Sequence, residues 1–135
     1  MGVSIYCGKL NMDMSYSTFD RWRIKLAKAL NENFGDAYEK WMYNFRDEDN
    51  EIMNKHFEVI CNYTPELTQE LFDFFTMSDC EGEIRKETSK QLLPLIEKLD
   101  NGYKIGYLGL CPYDKEYVKD FFKHSIRYNA KVWWC

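Results

Sequence analysis

The stretch Ser78-Asp79-Cys80-Glu81-Gly82-Glu83 gathers three carboxylates, a hydroxyl and a thiol into six residues, with a glycine where the backbone can turn. Such groups can ligate a cation, supply a nucleophile, or cap free backbone amides, and the three chemistries make different demands on the neighbours. A calcium loop with Gly82 at its sixth position sets Asp79 at the third, Glu81 at the fifth and Ile84 at the eighth. Met77 then falls where the first aspartate belongs, and Thr88 where the bidentate glutamate belongs. A weak divalent site on Asp79, Glu81 and Glu83 is what survives of that reading, as the alternative. Nucleophilic catalysis needs a base, and the two histidines, His56 and His124, sit on predicted helices among aromatic residues. Neither Cys80–His56 nor Cys80–His124 carries flanking sequence that marks a reactive pair. Cys80, Cys111 and Cys135 lack the spacing of a zinc knuckle. A phosphate loop, a dinucleotide glycine fingerprint and H-E-x-x-H are all missing.

The capping chemistry makes fewer demands. Acids ahead of a helix favour its positive end. Asp79 can fold onto the amides of Glu81 or Gly82 as an Asx-turn, with Gly82 supplying a positive φ and Cys80 packing inward. On this reading the hexapeptide is a turn and a helix start.

The flanking elements follow from periodicity. Val3 to Cys7 alternates as a strand, Gly8 ends it, and residues 9–16 read as a loop. Ser17 serves as N-cap for a helix with Phe19, Trp22, Leu26, Ala29 and Leu30 on one face, running to about Phe34 with Gly35 as its C-cap. Tyr38, Trp41, Met42 and Phe45 mark a shorter helical stripe, closed by the polar run Arg46 to Glu51. Ile52 to Tyr63 reads as a helix with residues 52, 56, 59, 60 and 63 inward. Thr64-Pro65-Glu66 opens the next, with Leu67, Leu71 and Phe74 or Phe75 buried. Another spans about 86–99 around Pro94, with Leu92, Leu95, Ile96 and Leu99 inward, and Asn101-Gly102 turns the chain. Pro112 opens the last helix, on which Val118, Phe121, Phe122 and Ile126 face inward. The apolar tail Ala130 to Cys135 needs a strand partner, and the N-terminal strand is the obvious one. The expected fold is α+β: a small sheet from the two terminal strands, covered by four or five helices in a single domain over 1–135.

Composition narrows the function. Ten tyrosines, nine phenylalanines and four tryptophans supply ample core for 135 residues. A formal charge of -4 argues against a general nucleic-acid binder, which draws its affinity from lysine and arginine on phosphates. The basic clusters Arg21 to Lys25 and Lys119 to Arg127 interleave with apolar residues as the solvated sides of helices do. Five scattered cysteines, no secretory signal and no apolar run of membrane-spanning length point to a reduced protein of the cytoplasm.

Met1 to Tyr6, Phe19 to Leu30, the stretch Ser78 to Ile84, and the C-terminal helix and tail together resemble short bacterial and phage proteins of unassigned function. These carry an S-D-C-[DE]-G-[EK]-[IL] signature before a helix. Two departures stand out: Arg85-Lys86 replaces a serine-proline step, and Met77 stands where histidine or asparagine precedes the serine. The resemblance implies a phage or mobile-element setting, where small proteins often act as inhibitors or accessory binders. The expected function is a non-catalytic protein-binding module that inhibits a host or anti-phage defence protein. The alternative is a small metal-assisted enzyme or a metabolite- or nucleotide-binding protein using residues 78–83. Candidate binding residues are Asp79, Glu81, Glu83, Tyr103, Tyr107, Trp133 and Trp134, with a protein as partner and no cofactor beyond the weak cation. An apolar terminal strand also leaves an edge through which two copies could pair as a homodimer.

Overall fold

The alternation that marks the first strand continues past Gly8. In the computed structural model, which describes residues 2–44, 51–99, 104–105 and 113–135, β1 (Gly2–Cys7) pairs antiparallel with β2 (Leu10–Ser15). Gly8, at φ +60°, and Lys9 make the two-residue turn between them. Residues 10–15 of the expected loop at 9–16 are therefore a strand, because Met12 and Met14 alternate with Asn11 and Asp13 and bury one face.

Helix α1 (Tyr16–Leu30) follows, capped by Ser15, whose Oγ accepts from the Thr18 amide at 3.1 Å. It ends at Asn31 rather than near Phe34. The Asn31 side chain accepts from the Phe34 amide at 3.0 Å and so opens α2 (Glu32–Asn44). Gly35 is accordingly no C-cap: it lies inside α2, and a Cβ there would stand 2.5 Å from the Lys28 Cα of α1. Helix α3 (Glu51–Asn62) forms as expected but turns a different face inward. Phe57 is buried, stacked on Trp41 at 4.8 Å, whereas Ile52, Val59 and Tyr63 are exposed.

Thr64 does not start the next helix, because its hydroxyl donates back to the Ile60 carbonyl at 2.7 Å. Thr68 takes that role for α4 (Gln69–Thr76), accepting from the Leu71 amide at 3.2 Å. Strand β3 (Gly82–Ile84) and helix α5 (Lys86–Glu97) follow, with Pro94 inside a continuous α5. The short pair β4 (Lys104–Ile105) and β5 (Tyr113–Asp114) precedes α6 (Lys115–Tyr128), which Asp114 caps onto the Tyr117 amide at 2.9 Å. The chain then enters β6 (Val132–Trp134). Residues 46–50 of the expected polar run, the turn at Asn101-Gly102, and Pro112 lie outside the described residues, while Glu51, the last of that run, begins α3.

The main sheet has the order β2-β1-β6-β3, all antiparallel. Its middle joins the two terminal strands, as expected, with Ile5 opposite Trp134 and Tyr6 opposite Trp133. Six helices accompany it among the described residues. The inner face (Val3, Ile5, Cys7, Met12, Met14, Ile84, Val132 and Trp134) joins the aromatic core of Phe19, Trp22, Phe74 and Phe122. No helix of the described residues is long and apolar enough to cross a membrane.

Candidate functional site

Loop 77–81 leaves α4 with its carbonyls free, and side chains from three distant elements take them up. The Arg23 guanidinium of α1 donates to the Met77 carbonyl at 2.7 Å and to Phe74 at 3.3 Å. Tyr38 of α2 donates its hydroxyl to Phe75 at 2.7 Å, and the Trp134 indole of β6 donates to Ser78 at 2.9 Å. Arg23 is 2% exposed and lies over the Phe19 ring, 4.7 Å from its centroid. It is thus no solvated cation, contrary to the expectation for Arg21 to Lys25. It occupies the apolar face set by Phe19, Trp22 and Leu26, and that placement was the sequence signal for its role.

The Asp20 carboxylate accepts from Arg23 at 3.1 Å. Burial raises the Asp20 pKa, the Arg23 bond opposes the shift, and the nearby Asp79 adds to it. Burial also drives the Tyr38 hydroxyl far above the usual phenol range.

Within the hexapeptide the turn forms through Ser78, whose Oγ accepts from the Cys80 amide at 3.0 Å. The expected Asx-turn at Asp79 is not what closes it; Asp79 Oδ1 instead lies 3.4 Å from the Cys80 thiol. Cys80 faces solvent rather than packing inward. Gly82 does not have positive φ, since Gly8 is the described glycine that does. Its need is space: a Cβ would lie 2.3 Å from Trp134 Cζ2 and 2.6 Å from Cε2. Residues 82–84 are a strand on β6 rather than a helix start, and α5 begins afterwards with Arg85 as its N-cap.

The carboxylates disperse along this path. Asp79 is half-buried near Asp20, Glu81 is exposed, and Glu83 pairs with Lys131 at 3.3 Å. Among the described residues no three His, Cys, Asp or Glu side chains form a metal-holding group. Tyr103 and Tyr107 lie outside the described residues.

Strand alternation separates the two tryptophans. Trp134 is 2% exposed and belongs to the core. Trp133 is 43% exposed on the outer sheet face and stacks on Tyr6, with ring centroids 4.5 Å apart. Around that pair stand Ser4, whose hydroxyl donates to Asp13 at 2.6 Å, then Asn11 and Glu83. No described element covers this face. The free edge of β2 is closed: Tyr113 stands 3.1 Å from the Asp13 amide and Tyr117 donates to the Asn11 carbonyl at 3.0 Å. Tyr6 and this pair of edge-capping tyrosines escaped the sequence reading, which had no β2 for them to cap.

Comparison with protein-family models, with curated proteins and with solved structures finds no match to this chain.

Proposed function

We propose that this chain is a non-catalytic protein-binding module acting in the cytoplasm, of the kind by which phages and prophages inhibit a host or anti-phage defence protein. Trp133 stacked on Tyr6, on a sheet face that no described element covers, carries the binding reading. Tryptophan and tyrosine dominate interface hot spots because they bring large rigid area at little entropic loss. The phage setting rests on the resemblance of Ser78 to Ile84 and its companions. The negative charge of the chain favours a partner with a basic surface.

The test uses the full chain as bait at physiological salt, beside Trp133→Ala and beside Val59→Glu on the exposed row of α3. A stoichiometric partner captured by the parent and by Val59→Glu, and lost with Trp133→Ala, is expected. A hot-spot tryptophan is worth about 2 kcal/mol or more, roughly thirtyfold in affinity. Capture unaffected by Trp133→Ala, or turnover of a metabolite with no stoichiometric partner, overturns the reading.

A further inference from the structure

We propose that the open edge of β3 takes an extended basic segment of a protein partner as a fifth strand, its cationic side chains meeting the acidic groove between β3 and α4. The proposal rests on the protein-binding reading above and names the chemistry of the partner.

The backbone directions follow from the ladder. Ser4 and Cys135 exchange both of their amide–carbonyl hydrogen bonds, each at 3.1 Å. Antiparallel strands alternate, so Trp133 also turns its backbone toward β1, while Val132 and Trp134 turn theirs toward β3. Gly82 and Ile84 therefore bond to β6, and the N–H and C=O of Glu83 both point to the free edge. No described group meets them. The opposite edge, on β2, is closed by the hydroxyls of Tyr113 and Tyr117. Among the described residues the sheet is thus protected at one end and open at the other.

A groove of about 240 Å³ runs along the open end, lined by Glu70 and Asp73 of α4, by Met77 just after it, and by Glu83, Arg85 and Glu87. That volume is below the roughly 300 Å³ at which small-molecule sites begin, so it suits side chains of a larger ligand. Four carboxylates face one guanidinium there. They do not form a metal-holding group among the described residues, and their spread suits spaced ammonium or guanidinium groups instead. Glu83 already meets a lysine ammonium, that of Lys131.

Register supplies the remaining geometry. Tyr6, Trp133 and Glu83 form one cross-strand row on the outer face. A residue paired with Glu83 extends that row, and a lysine or arginine there lies beside the carboxylate. Its two neighbours in the incoming strand face the other way, as alternation requires. Backbone pairing would give affinity and the acidic walls the preference for a basic sequence.

Fluorescence anisotropy on the full chain tests this with labelled heptapeptides: one with lysine at its three central positions and valine elsewhere, one with glutamate at those three positions, and the lysine peptide N-methylated at its central amides. The lysine peptide is expected to bind at least about tenfold tighter than the glutamate peptide, and N-methylation to lose about tenfold. Glu83→Pro should lose at least as much as N-methylation does, since it removes both the edge N–H, which plays no part in the sheet, and the carboxylate, and proline is tolerated at such an edge position. If Glu83→Pro alters the fold by circular dichroism, the N-methylated peptide carries the same test. Asp73→Asn with Glu87→Gln is expected to weaken the lysine peptide about fivefold and to flatten its salt dependence. Equal binding of the two charge types overturns the proposal, as does binding indifferent to N-methylation or no binding up to about 1 mM. Should the peptides fail while Trp133→Ala still abolishes partner capture, the edge proposal falls and the binding reading stands.

Discussion

Replacing Gly82 with alanine pits two effects of opposite sign against each other. Gly82 sits in a strand without positive φ, so alanine is allowed there and would stabilise by about 0.4–1 kcal/mol through the unfolded chain. Against this, the new Cβ would stand 2.3 Å from Trp134 Cζ2. The ring has little room to retreat, being 2% exposed, edge-on to Phe74 at 6.1 Å and 5.4 Å from Phe19. Overpacking of this kind costs about 1–3 kcal/mol, and turning the indole off the Ser78 carbonyl adds about 1 kcal/mol. The steric term wins, leaving a net loss of roughly 1–3 kcal/mol. At this chain length that lowers Tm by about 4–12 °C. Thermal unfolding followed by far-ultraviolet circular dichroism reads the shift, and the near-ultraviolet signal of the tryptophans reports the displaced ring. The same substitution made on Trp134→Leu should lose at least about 1 kcal/mol of its effect, because the obstructing ring is gone. An unchanged or raised Tm for Gly82→Ala, or full additivity in the double variant, would refute the reasoning.

Three further outcomes follow from the loop and its clamps. Arg23→Met removes the donor to the Phe74 and Met77 carbonyls and the partner of Asp20. It is expected to destabilise by about 3–5 kcal/mol and to open loop 77–81 to limited proteolysis, with Asp20→Asn recovering part of the loss. The folded pKa of Asp20 is raised above its ordinary 3.8, so the native state binds its proton more tightly than the unfolded chain does. Its contribution to stability is then full below 3.8 and lost as pH rises through the folded pKa. Urea midpoints of Asp20→Asn relative to the parent should accordingly climb across that window, and a gap that is flat with pH would count against the shift. Cys80 and Cys135 are exposed, whereas Cys7 is buried and burial together with Glu58 pushes the Cys61 thiol up to about 11. Iodoacetamide at pH 8 with peptide mapping should label Cys80 and Cys135 in the native protein, and Cys7 and Cys61 only after unfolding.

The pairing of the terminal strands was legible because Val3 to Cys7 alternates and the tail from Ala130 is too apolar to stand alone. Strand β2 carried the same signal in Leu10, Met12 and Met14, but methionine is a weak strand former and the two-residue Gly8-Lys9 turn lacks an asparagine or aspartate to announce it. The boundary between α1 and α2 is hidden in the sequence because Phe34 continues the apolar stripe, while the side chain of Asn31 decides where the backbone breaks. Thr64-Pro65-Glu66 has every local mark of a helix start, yet the Thr64 hydroxyl is already committed to α3. Local composition could not show which of two threonines was free. The side chains of the acidic hexapeptide are what its sequence displays, whereas its backbone carbonyls and the missing Cβ of Gly82 govern its placement. Arg23 and Trp134, which meet them, come from opposite ends of the chain, and periodicity carries no information about such contacts.

The central position of β6 also bears on how the molecule assembles. Strand β3 pairs only with β6 among the described strands, and β6 finds β1 at the opposite end of the chain. Neither contact can form until a long loop closes, whereas α1 with α2 joins neighbours in sequence and α5 with α6 closes a shorter one. Refolding should therefore gain helical ellipticity before Trp134 reaches its buried site, with a kinetic lag between the far-ultraviolet and tryptophan signals. In the native state β3 and β6 should exchange their amide hydrogens as one cooperative unit, since releasing β6 removes the ladder partner of β3.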